Sequence, residues 1–231
     1  MKPKKVIIIF GQPGAGKSIQ AEFLSEKFGF YHIETSEILE KKFKEKQEKN
    51  FITIKGKKYY LNKQEILFKS GKLTDPIVVA YLIKEKIKEL FNQGKSLVFS
   101  GSPRTIYEAE TLIPYLKKLY GKENIKIILL EITPDETVWR NTHRRICELM
   151  GHLILFNKET KKLKKCPLDG SKLLKRPDLD KPATIRVRLK EYNKKTFPII
   201  DYFEKQGLKV EKLNGSLPPA EVFKNILKVL D

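Results

Sequence analysis

The residues whose chemistry is clearest lie in a glycine-rich segment near the start of the chain. Residues 11–18 read Gly-Gln-Pro-Gly-Ala-Gly-Lys-Ser, which is the G-x-x-x-x-G-K-S spacing of a phosphate-binding loop. Its glycines let the backbone turn so that successive N–H groups point at one anion. Lys17 would reach the outer phosphates, and the Ser18 hydroxyl would coordinate Mg²⁺. The segment therefore predicts binding of a nucleoside triphosphate with magnesium.

The segments on both sides of this loop fit that role. Residues 6–10 form a continuous apolar run, which is typical of a buried parallel strand. After the loop, Ala21, Leu24 and Phe28 recur at the i, i+3 and i+7 positions of one helix face. A strand, a glycine turn and a helix in this order place the positive end of the helix dipole against the bound phosphate.

The rest of the chain alternates apolar runs with helical periodicity, the pattern of a doubly wound parallel α/β sheet with ligands at the carboxyl ends of its strands. Two stretches interrupt the alternation. Residues 47–61 have a hairpin pattern around Gly56, and residues 147–182 are rich in lysines and turn signals, so we interpret them as an inserted subdomain. The further core strands are expected at 29–33, 95–100, 124–132 and 208–213.

Capping residues mark where the helices should begin. Asp75-Pro76 combines an N-cap acceptor with a proline at the first helical position. Thr105 and Glu108 have the spacing of a capping box. We also expect Ser36 to cap a helix through about residue 46, and Asn62 with Glu65 to begin a helix closed by Gly71.

The composition is strongly basic, with 47 lysines and arginines against 28 acidic residues and a net charge of +19. The lysines are spread over almost every helix and no aromatic RNA-binding motif accompanies them, so we favour attraction of small polyphosphates over nucleic-acid binding.

The apolar runs are too short to span a bilayer. The two cysteines do not suggest a disulfide framework. No leader-like segment precedes the first strand, so we expect a cytoplasmic protein.

Several separate blocks resemble the adenylate kinase family of nucleoside monophosphate kinases, in the family's order and over nearly the whole chain. The blocks are GQPGAGKSIQAEFLSEKF, GKLTDPIVVAYL, GSPRTIYEAETL, RNTHRRIC, KRPDLD, RLKEYNKKTFPIIDYF and NGSLPPAEV. The resemblance implies a P-loop NTPase fold in one kinase domain over residues 1–231. It also implies a core of residues 1–34, 74–143 and 184–231, a monophosphate-binding insertion at 35–73 and a lid at 144–183.

The resemblance implies transfer of the γ-phosphate of Mg·ATP to a nucleoside monophosphate, with AMP as the expected acceptor. GMP, CMP or UMP is the alternative acceptor. A rival of another class is a regulatory or RNA-associated nucleotide-binding protein of this fold with little turnover. We expect a monomer.

Such a reaction depends on positioning phosphates and neutralising their charge, which suits the planar guanidinium group of arginine. By resemblance, Arg104 should hold the acceptor phosphate, with Arg186 as a neighbour of the transferring group. The expected catalytic residues are Lys17, Arg104, Arg144, Arg176 and Arg188. The expected ATP-binding residues are Gly11, Gly14, Ala15, Gly16, Lys17, Ser18 and Arg140, and those for the acceptor are Thr35, Arg104 and Glu108.

Two positions depart from the family pattern on the metal and phosphate side. Ser100 stands where the family usually has an aspartate that helps hold the waters around Mg²⁺, and a hydroxyl is a weaker support, with Glu37 as a candidate to assist. Glu40 stands where an arginine would grip the acceptor phosphate, so repulsion is expected unless a lysine compensates. The candidate lysines are Lys41, Lys57 and Lys58.

Glu108 replaces the glutamine that typically reads the adenine edge of AMP. A carboxylate only accepts hydrogen bonds, so the N1–H and N2–H₂ donors of guanine would suit it better than adenine. Glu108 is also the third residue of the capping box that Thr105 begins. Altered base preference and helix capping therefore remain two open alternatives.

The lid contains two turns that carry cysteine pairs in metal-containing relatives. Here the pairs read Cys147-x-x-Met150 and Cys166-x-x-Asp169. Two thiolates and one carboxylate are too few for a closed zinc site, although His152 is near in sequence. We therefore favour a lid held by packing and hydrogen bonds around the same turns, with zinc as the less favoured alternative.

Overall fold

The computed structural model describes residues 4–45, 50–176 and 179–230. In this part of the chain the strands are β1 (Val6–Gly11), β2 (Tyr31–Ile33), β3 (Phe51–Ile54), β4 (Lys57–Tyr60), β5 (Leu97–Phe99), β6 (Ile125–Glu131), β7 (Arg145–Cys147), β8 (Leu153–Ile154), β9 (Leu173–Leu174) and β10 (Val210–Asn214). The helices are α1 (Lys17–Phe28), α2 (Thr35–Lys44), α3 (Leu61–Lys69), α4 (Pro76–Asn92), α5 (Ile106–Tyr120), α6 (Pro134–His143), α7 (Pro182–Glu191), α8 (Ile199–Lys205) and α9 (Pro219–Leu230), with a 3₁₀ turn at Lys122–Asn124 and a π-helical turn at Tyr192–Thr196.

The central sheet has five strands in the order β10-β6-β1-β5-β2, and every neighbouring pair is parallel. This confirms the fold class that the sequence predicts. β5 and β2 lie on one side of β1, and β6 and β10 lie on the other side, so the strand order reverses at β1. In such sheets, ligands bind in the crevice that forms at this reversal point, beside the carboxyl ends of the strands. The glycine-rich loop follows β1 and therefore lies at this crevice.

Both faces of the sheet are covered, which explains why β1 is apolar throughout. Its side chains alternate between two core clusters because successive residues of a strand point to opposite faces. Val6, Ile8 and Phe10 belong to the cluster that includes α4, α5 and α8. Ile7 and Ile9 belong to the cluster that includes α1 and α9. The core thus fixes the end of β1 from both sides.

Two small antiparallel sheets stand apart from the central one. The β3–β4 hairpin turns at Lys55 and Gly56, which both have positive φ angles of 47° and 79°. It packs on α4 through Ile54, Tyr59 and Val78. The second small sheet pairs β7 with β8 on one side and with β9 on the other. The hairpin expected around Gly56 is confirmed.

The helix caps are partly as predicted. The Asp75 carboxylate accepts from the N–H of Ile77, and the Thr105 hydroxyl accepts from the N–H of Glu108, so both predicted N-caps are confirmed. The prediction for Ser36 is wrong, because the N-cap is Glu34, two residues earlier, and α2 begins at Thr35. The prediction for Asn62 is wrong because β4 runs to Tyr60 and α3 follows directly, which leaves Asn62 inside the first turn.

Two further features concern the ends of helices. α2 ends at Lys44, and residues 46–49 lie outside the described residues. Sequence reasoning missed a complete capping box between Thr133 and Glu136 at the start of α6. Among the residues described, no helix has the length and apolar character needed to cross a membrane.

Candidate active site

The loop after β1 can adopt its shape only with glycine at particular positions. Gly11 and Gly14 have φ angles of +143° and +87°, a region that residues with a side chain rarely adopt. A Cβ atom at Gly11 would lie 2.4 Å from the carbonyl oxygen of Leu130, and one at Gly14 would lie 2.5 Å from Nδ2 of Asn141. The backbone here lies directly against β6 and α6. The α1 helix begins at Lys17, so its unpaired N–H groups face the loop.

Lys17 folds back onto this loop. Its Nζ donates to the carbonyl oxygens of Gly11 at 2.8 Å and of Gln12 at 2.7 Å. Burial, with added repulsion from Arg104 and Arg188, lowers the pKa of Lys17 to about 7. An anion bound in the loop would favour the charged ammonium group. A phosphate bound in the loop would therefore keep Lys17 in its charged form.

A cavity of about 470 Å³ opens over the loop. This is the size of a small-molecule site. Its wall contains every residue that we predicted for ATP binding or phosphoryl transfer: Gly11, Gly14, Ala15, Gly16, Lys17, Ser18, Arg104, Arg140, Arg144, Arg176 and Arg188. Arg186, by contrast, is exposed and outside the described wall.

Asp180 holds two of these arginines together. Its Oδ1 accepts from Nη2 of Arg144 at 2.7 Å and from Nη2 of Arg176 at 3.1 Å. The Asp180 side chain is only 3% exposed, whereas those of Arg144 and Arg176 are 13% and 29% exposed. One buried carboxylate thus fixes two guanidinium groups that are distant from each other in the sequence. No sequence pattern indicates this role for Asp180.

Arg188 and Arg104 complete the cationic wall. Nη1 of Arg188 donates to the carbonyl oxygen of Leu179 at 3.5 Å, and the carbonyl oxygen of Arg104 accepts from the Thr196 hydroxyl at 2.8 Å. Burial lowers the pKa of both side chains, and Arg176 and Arg104 lower that of Arg188 further. A guanidinium group keeps its proton near neutral pH despite such shifts. The cavity therefore concentrates positive charge.

Arg140 joins the donor side of the cavity to the loop before α9. Its Nη1 donates to the carbonyl oxygen of Gly215 at 2.9 Å and more weakly to that of Gly14 at 3.5 Å, while Nη2 reaches Ser216 at 3.1 Å. The side chain is thereby held flat against the glycine-rich loop and the end of β10.

Comparisons with known proteins agree with this geometry. A model of the family described as adenylate kinase matches residues 9–208. The chain is 34% identical over 227 residues to the adenylate kinase of Clostridium botulinum strain Langeland, covering 97% of both chains. It is 33% identical over 229 residues to the adenylate kinase of Staphylococcus aureus strain Mu50, covering 97% of this chain and 98% of the relative. The chain belongs to the adenylate kinase family. It is accordingly a nucleoside monophosphate kinase.

This family member differs from the pattern on the side where Mg²⁺ is expected. The Ser100 hydroxyl is buried and lies 2.6 Å from Nε2 of His32. Glu34, which sequence reasoning overlooked, lines the cavity and has its carboxylate 3.8 Å from the same imidazole. A carboxylate is thus present near the hydroxyl that replaces the family's aspartate. The donor set of Ser18 and Glu34 fits a hard cation that prefers oxygen ligands.

The three residues predicted to bind the acceptor differ in whether they line the cavity. Arg104 lines the cavity, but Thr35 and Glu108 do not belong to the wall as far as the chain is described. Thr35 is buried, and its hydroxyl has no hydrogen-bond partner among the described residues. It lies behind Gly101, where a Cβ atom would come within 3.1 Å of its oxygen and 3.2 Å of Nη2 of Arg104.

The Glu108 carboxylate is already occupied within the chain. It accepts from the Ser102 hydroxyl at 3.0 Å, from the N–H of Arg104 at 2.9 Å and from the Thr105 hydroxyl at 3.1 Å. Burial raises the pKa of Glu108, and these hydrogen bonds oppose the shift. The contacts support the capping alternative of the two that the sequence left open.

The three lysines suggested to offset Glu40 are not among the residues that line the described cavity wall. Glu40 is exposed, and in the part of the wall that is described none of the three candidate lysines appears. Lys72, just after α3, does line the cavity. The candidates that lie elsewhere are Lys41, Lys57 and Lys58.

The two turns that contain Cys147 and Cys166 bring together four metal-ligating groups rather than three. The ligand atoms of Cys147, His152, Cys166 and Asp169 all lie within 4.8 Å of one another. His152 reaches the cluster because the chain turns at Gly151, so the spacing is C-x-x-x-x-H instead of C-x-x-C. Met150, at the usual ligand position, is 67% exposed.

The two separations between His152 and the cysteine sulfurs match those around a tetrahedral ion. The Cys147 thiol donates to Asp169 at 3.0 Å, and Nδ1 of His152 lies 3.4 Å and 3.5 Å from the sulfurs of Cys147 and Cys166. Around tetrahedral zinc, ligand atoms would be roughly 3.3–3.8 Å apart, given metal–ligand distances of about 2.0–2.3 Å. Two thiolates, an imidazole and a carboxylate form a donor set that zinc accepts.

The first prediction concerns Asp180. We expect Asp180→Asn to lower the free energy of unfolding by roughly 1–3 kcal/mol, because the charged hydrogen bonds to Arg144 and Arg176 are lost. Turnover should fall on the order of 100-fold because both guanidinium groups are no longer held in place. Thermal unfolding and steady-state kinetics measure these effects, with the exposed Asp201→Asn as control. Wild-type turnover in the variant would show that Asp180 does not position the arginines.

The second prediction concerns the metal-ligating cluster of Cys147, His152, Cys166 and Asp169. We expect protein purified without chelator to contain about one zinc ion per chain, measured by elemental mass spectrometry. Cys166→Ser should lose the ion and lower the unfolding midpoint, since a structural zinc stabilises the folded state. Met150→Ser, at the usual ligand position, should change neither. Metal-free wild-type protein with an unaltered midpoint in added zinc would exclude the site.

Proposed function

We propose that this chain transfers the γ-phosphate of Mg·ATP to AMP and so forms two molecules of ADP. The observation that carries the proposal is the convergence of Lys17 and five arginines on one cavity above the glycine-rich loop. The choice of AMP is supported by the relatives, which are named adenylate kinases. A cavity lined by so many cations is suited to the triphosphate of the donor and the monophosphate of the acceptor meeting end to end.

The reaction needs no nucleophile from the protein. An oxygen of the acceptor phosphate attacks the γ-phosphorus in line, and the bond to the β,γ-bridging oxygen breaks as ADP leaves. Lys17, with the N–H groups of the loop, binds the donor phosphates, and Arg140 lies against the donor nucleotide. Arg104 holds the acceptor phosphate. These groups accelerate transfer by positioning the two phosphates and stabilising the charge on the transferred group.

Three arginines stabilise the group in transit: Arg144, Arg176 and Arg188. Asp180 keeps the first two in position. Ser18 and Glu34 would hold Mg²⁺, which neutralises phosphate charge when it is bound. Lys72 offsets the loss of the acceptor arginine at Glu40 by Coulomb attraction for the acceptor phosphate.

We also propose the three-part division that the sequence suggested, with insertions at 35–73 and 144–183 around the core. The two separate antiparallel sheets, β3–β4 and β8-β7-β9, support it. Closure of both insertions over the cavity would exclude water and limit hydrolysis of ATP.

The third prediction is the acceptor preference. With Mg·ATP as donor, kcat/KM should be highest for AMP among AMP, GMP, CMP and UMP, measured by coupled detection of ADP. A higher value for another monophosphate would reassign the acceptor. ATP binding without ADP formation for any acceptor would favour a binding protein with little turnover.

Glu108→Gln adds a second arm to this panel. Because its carboxylate is occupied by Ser102, Arg104 and Thr105, we expect the AMP to GMP ratio of kcat/KM to stay within about twofold. Glu110→Gln, exposed on the same helix, is the matched control. A clear rise of the ratio in Glu108→Gln alone would show that Glu108 reads the base.

A further inference from the structure

The β3–β4 hairpin contributes no residue to the described wall of the cavity. Its inner face packs on α4. Successive strand residues alternate between the two faces, and directly paired residues share a face. The pairs Phe51–Tyr60 and Thr53–Lys58 therefore form the opposite face, which we call the outer face. Phosphate transfer gives this outer face no role.

The outer face presents an aromatic ring to solvent. The side chain of Tyr60 is 45% exposed, and Thr53 and Lys58 are exposed beside it. Phe51 is half-buried and meets Tyr60 edge-on, with ring centroids 6.2 Å apart and an interplanar angle of 63°. Such a contact fixes the orientation of the exposed ring.

The surroundings of these rings are strongly basic. Residues 50–64 contain four lysines and no aspartate or glutamate. All four lysines are exposed: Lys55, Lys57, Lys58 and Lys63. Nζ of Lys58 lies 4.6 Å from the ring centroid of Phe51, and Nζ of Lys63 lies 5.7 Å from that of Tyr60. Each ring of the pair thus has an ammonium group beside it.

This combination of groups matches a single-stranded nucleic acid. Each nucleotide offers a π-face that stacks on an aromatic ring and a phosphate that attracts a cation. An acidic peptide would pair with the lysines but would give the Tyr60 ring no stacking partner. The sequence shows the aromatic and basic residues only as separate letters, and the pairing of β3 with β4 brings them onto one face.

The outer face also carries hydroxyl groups, those of Thr53 and Tyr60. A ribose 2′-hydroxyl can donate a hydrogen bond to such a group or accept one from it, and deoxyribose cannot. The chemistry of the face therefore favours RNA over DNA.

We propose that the outer face of the hairpin binds single-stranded RNA, with a base stacked on Tyr60 and phosphates held by Lys58 and the neighbouring lysines. The lysine side chains are flexible, so their ammonium groups can leave the rings and pair with phosphates when a base arrives. The strands have four residues each and are about 13 Å long, so the contact covers only a few nucleotides. A weak, salt-dependent affinity follows, with a Kd of about 10 µM.

The fourth prediction measures this binding by fluorescence anisotropy with fluorescein-labelled decauridylate. Saturating inorganic triphosphate with magnesium occupies the cavity, so the RNA reports binding elsewhere. Tyr60→Ala should weaken binding about tenfold through loss of one stacked base, whereas Tyr60→Phe should stay within about twofold of wild type because the ring remains. Lys58→Gln should lower the slope of log K against log salt by about 0.7, the value for one phosphate contact.

Two variants away from the hairpin are the matched controls. Tyr107→Ala removes a ring that is similarly exposed, at 43%, on α5, and Lys224→Gln removes an exposed charge on α9. Neither should change the affinity or the salt slope. The unfolding midpoint of every variant shows whether it is folded. The deoxyuridine decamer should bind wild-type protein more weakly than the RNA.

Four results would overturn the inference: no RNA binding by wild-type protein, wild-type affinity in Tyr60→Ala, loss of RNA binding in triphosphate, or equal binding of the DNA decamer. Displacement of the RNA by polyglutamate as effectively as by unlabelled RNA would overturn it in favour of an acidic partner. The proposed function does not depend on these results, because the panel of monophosphates tests it separately.

Discussion

Repulsion among the cations around one cavity is the constraint on which the rest of the structure depends. Lys17, Arg104, Arg144, Arg176 and Arg188 all line the same space, and burial lowers the pKa of the first two and of Arg188. Like charges held this close destabilise the folded chain unless something opposes them. Asp180 and the carbonyl oxygens that accept from Lys17 partly do so. Bound phosphates would do so more fully.

The fold can hold these charges because the glycine-rich loop is fixed by the elements packed around it. β1 is packed from both faces, so the loop that follows it has a fixed origin. Gly11 and Gly14 bring that loop against β6 and α6 with no room for side chains. Arg144, Arg176 and Arg188 line the same cavity as this loop. A site of this kind acts by position and charge, not by a reactive side chain.

The sequence predicts the parts of this arrangement that depend on local pattern. The strand, the glycine-rich loop and α1 are contiguous, and their periodicity and spacing suffice. Ser36 and Asn62 show the limit, because whether such a residue caps a helix depends on where the preceding strand ends. His152 joins the lid cluster through a turn that alters the usual ligand spacing. Asp180 and Glu34 acquire their proposed roles only from the groups that the fold brings close to them.

The most direct test of this account is the unfolding midpoint in the presence of inorganic triphosphate. If the clustered cations form a phosphate site, triphosphate at 100 times its Kd should stabilise the protein by about 2.7 kcal/mol. For a domain of this size the midpoint should rise by roughly 5–10 °C. Sodium chloride at equal ionic strength should give a much smaller change. A midpoint that rises no further with triphosphate than with sodium chloride would contradict the account.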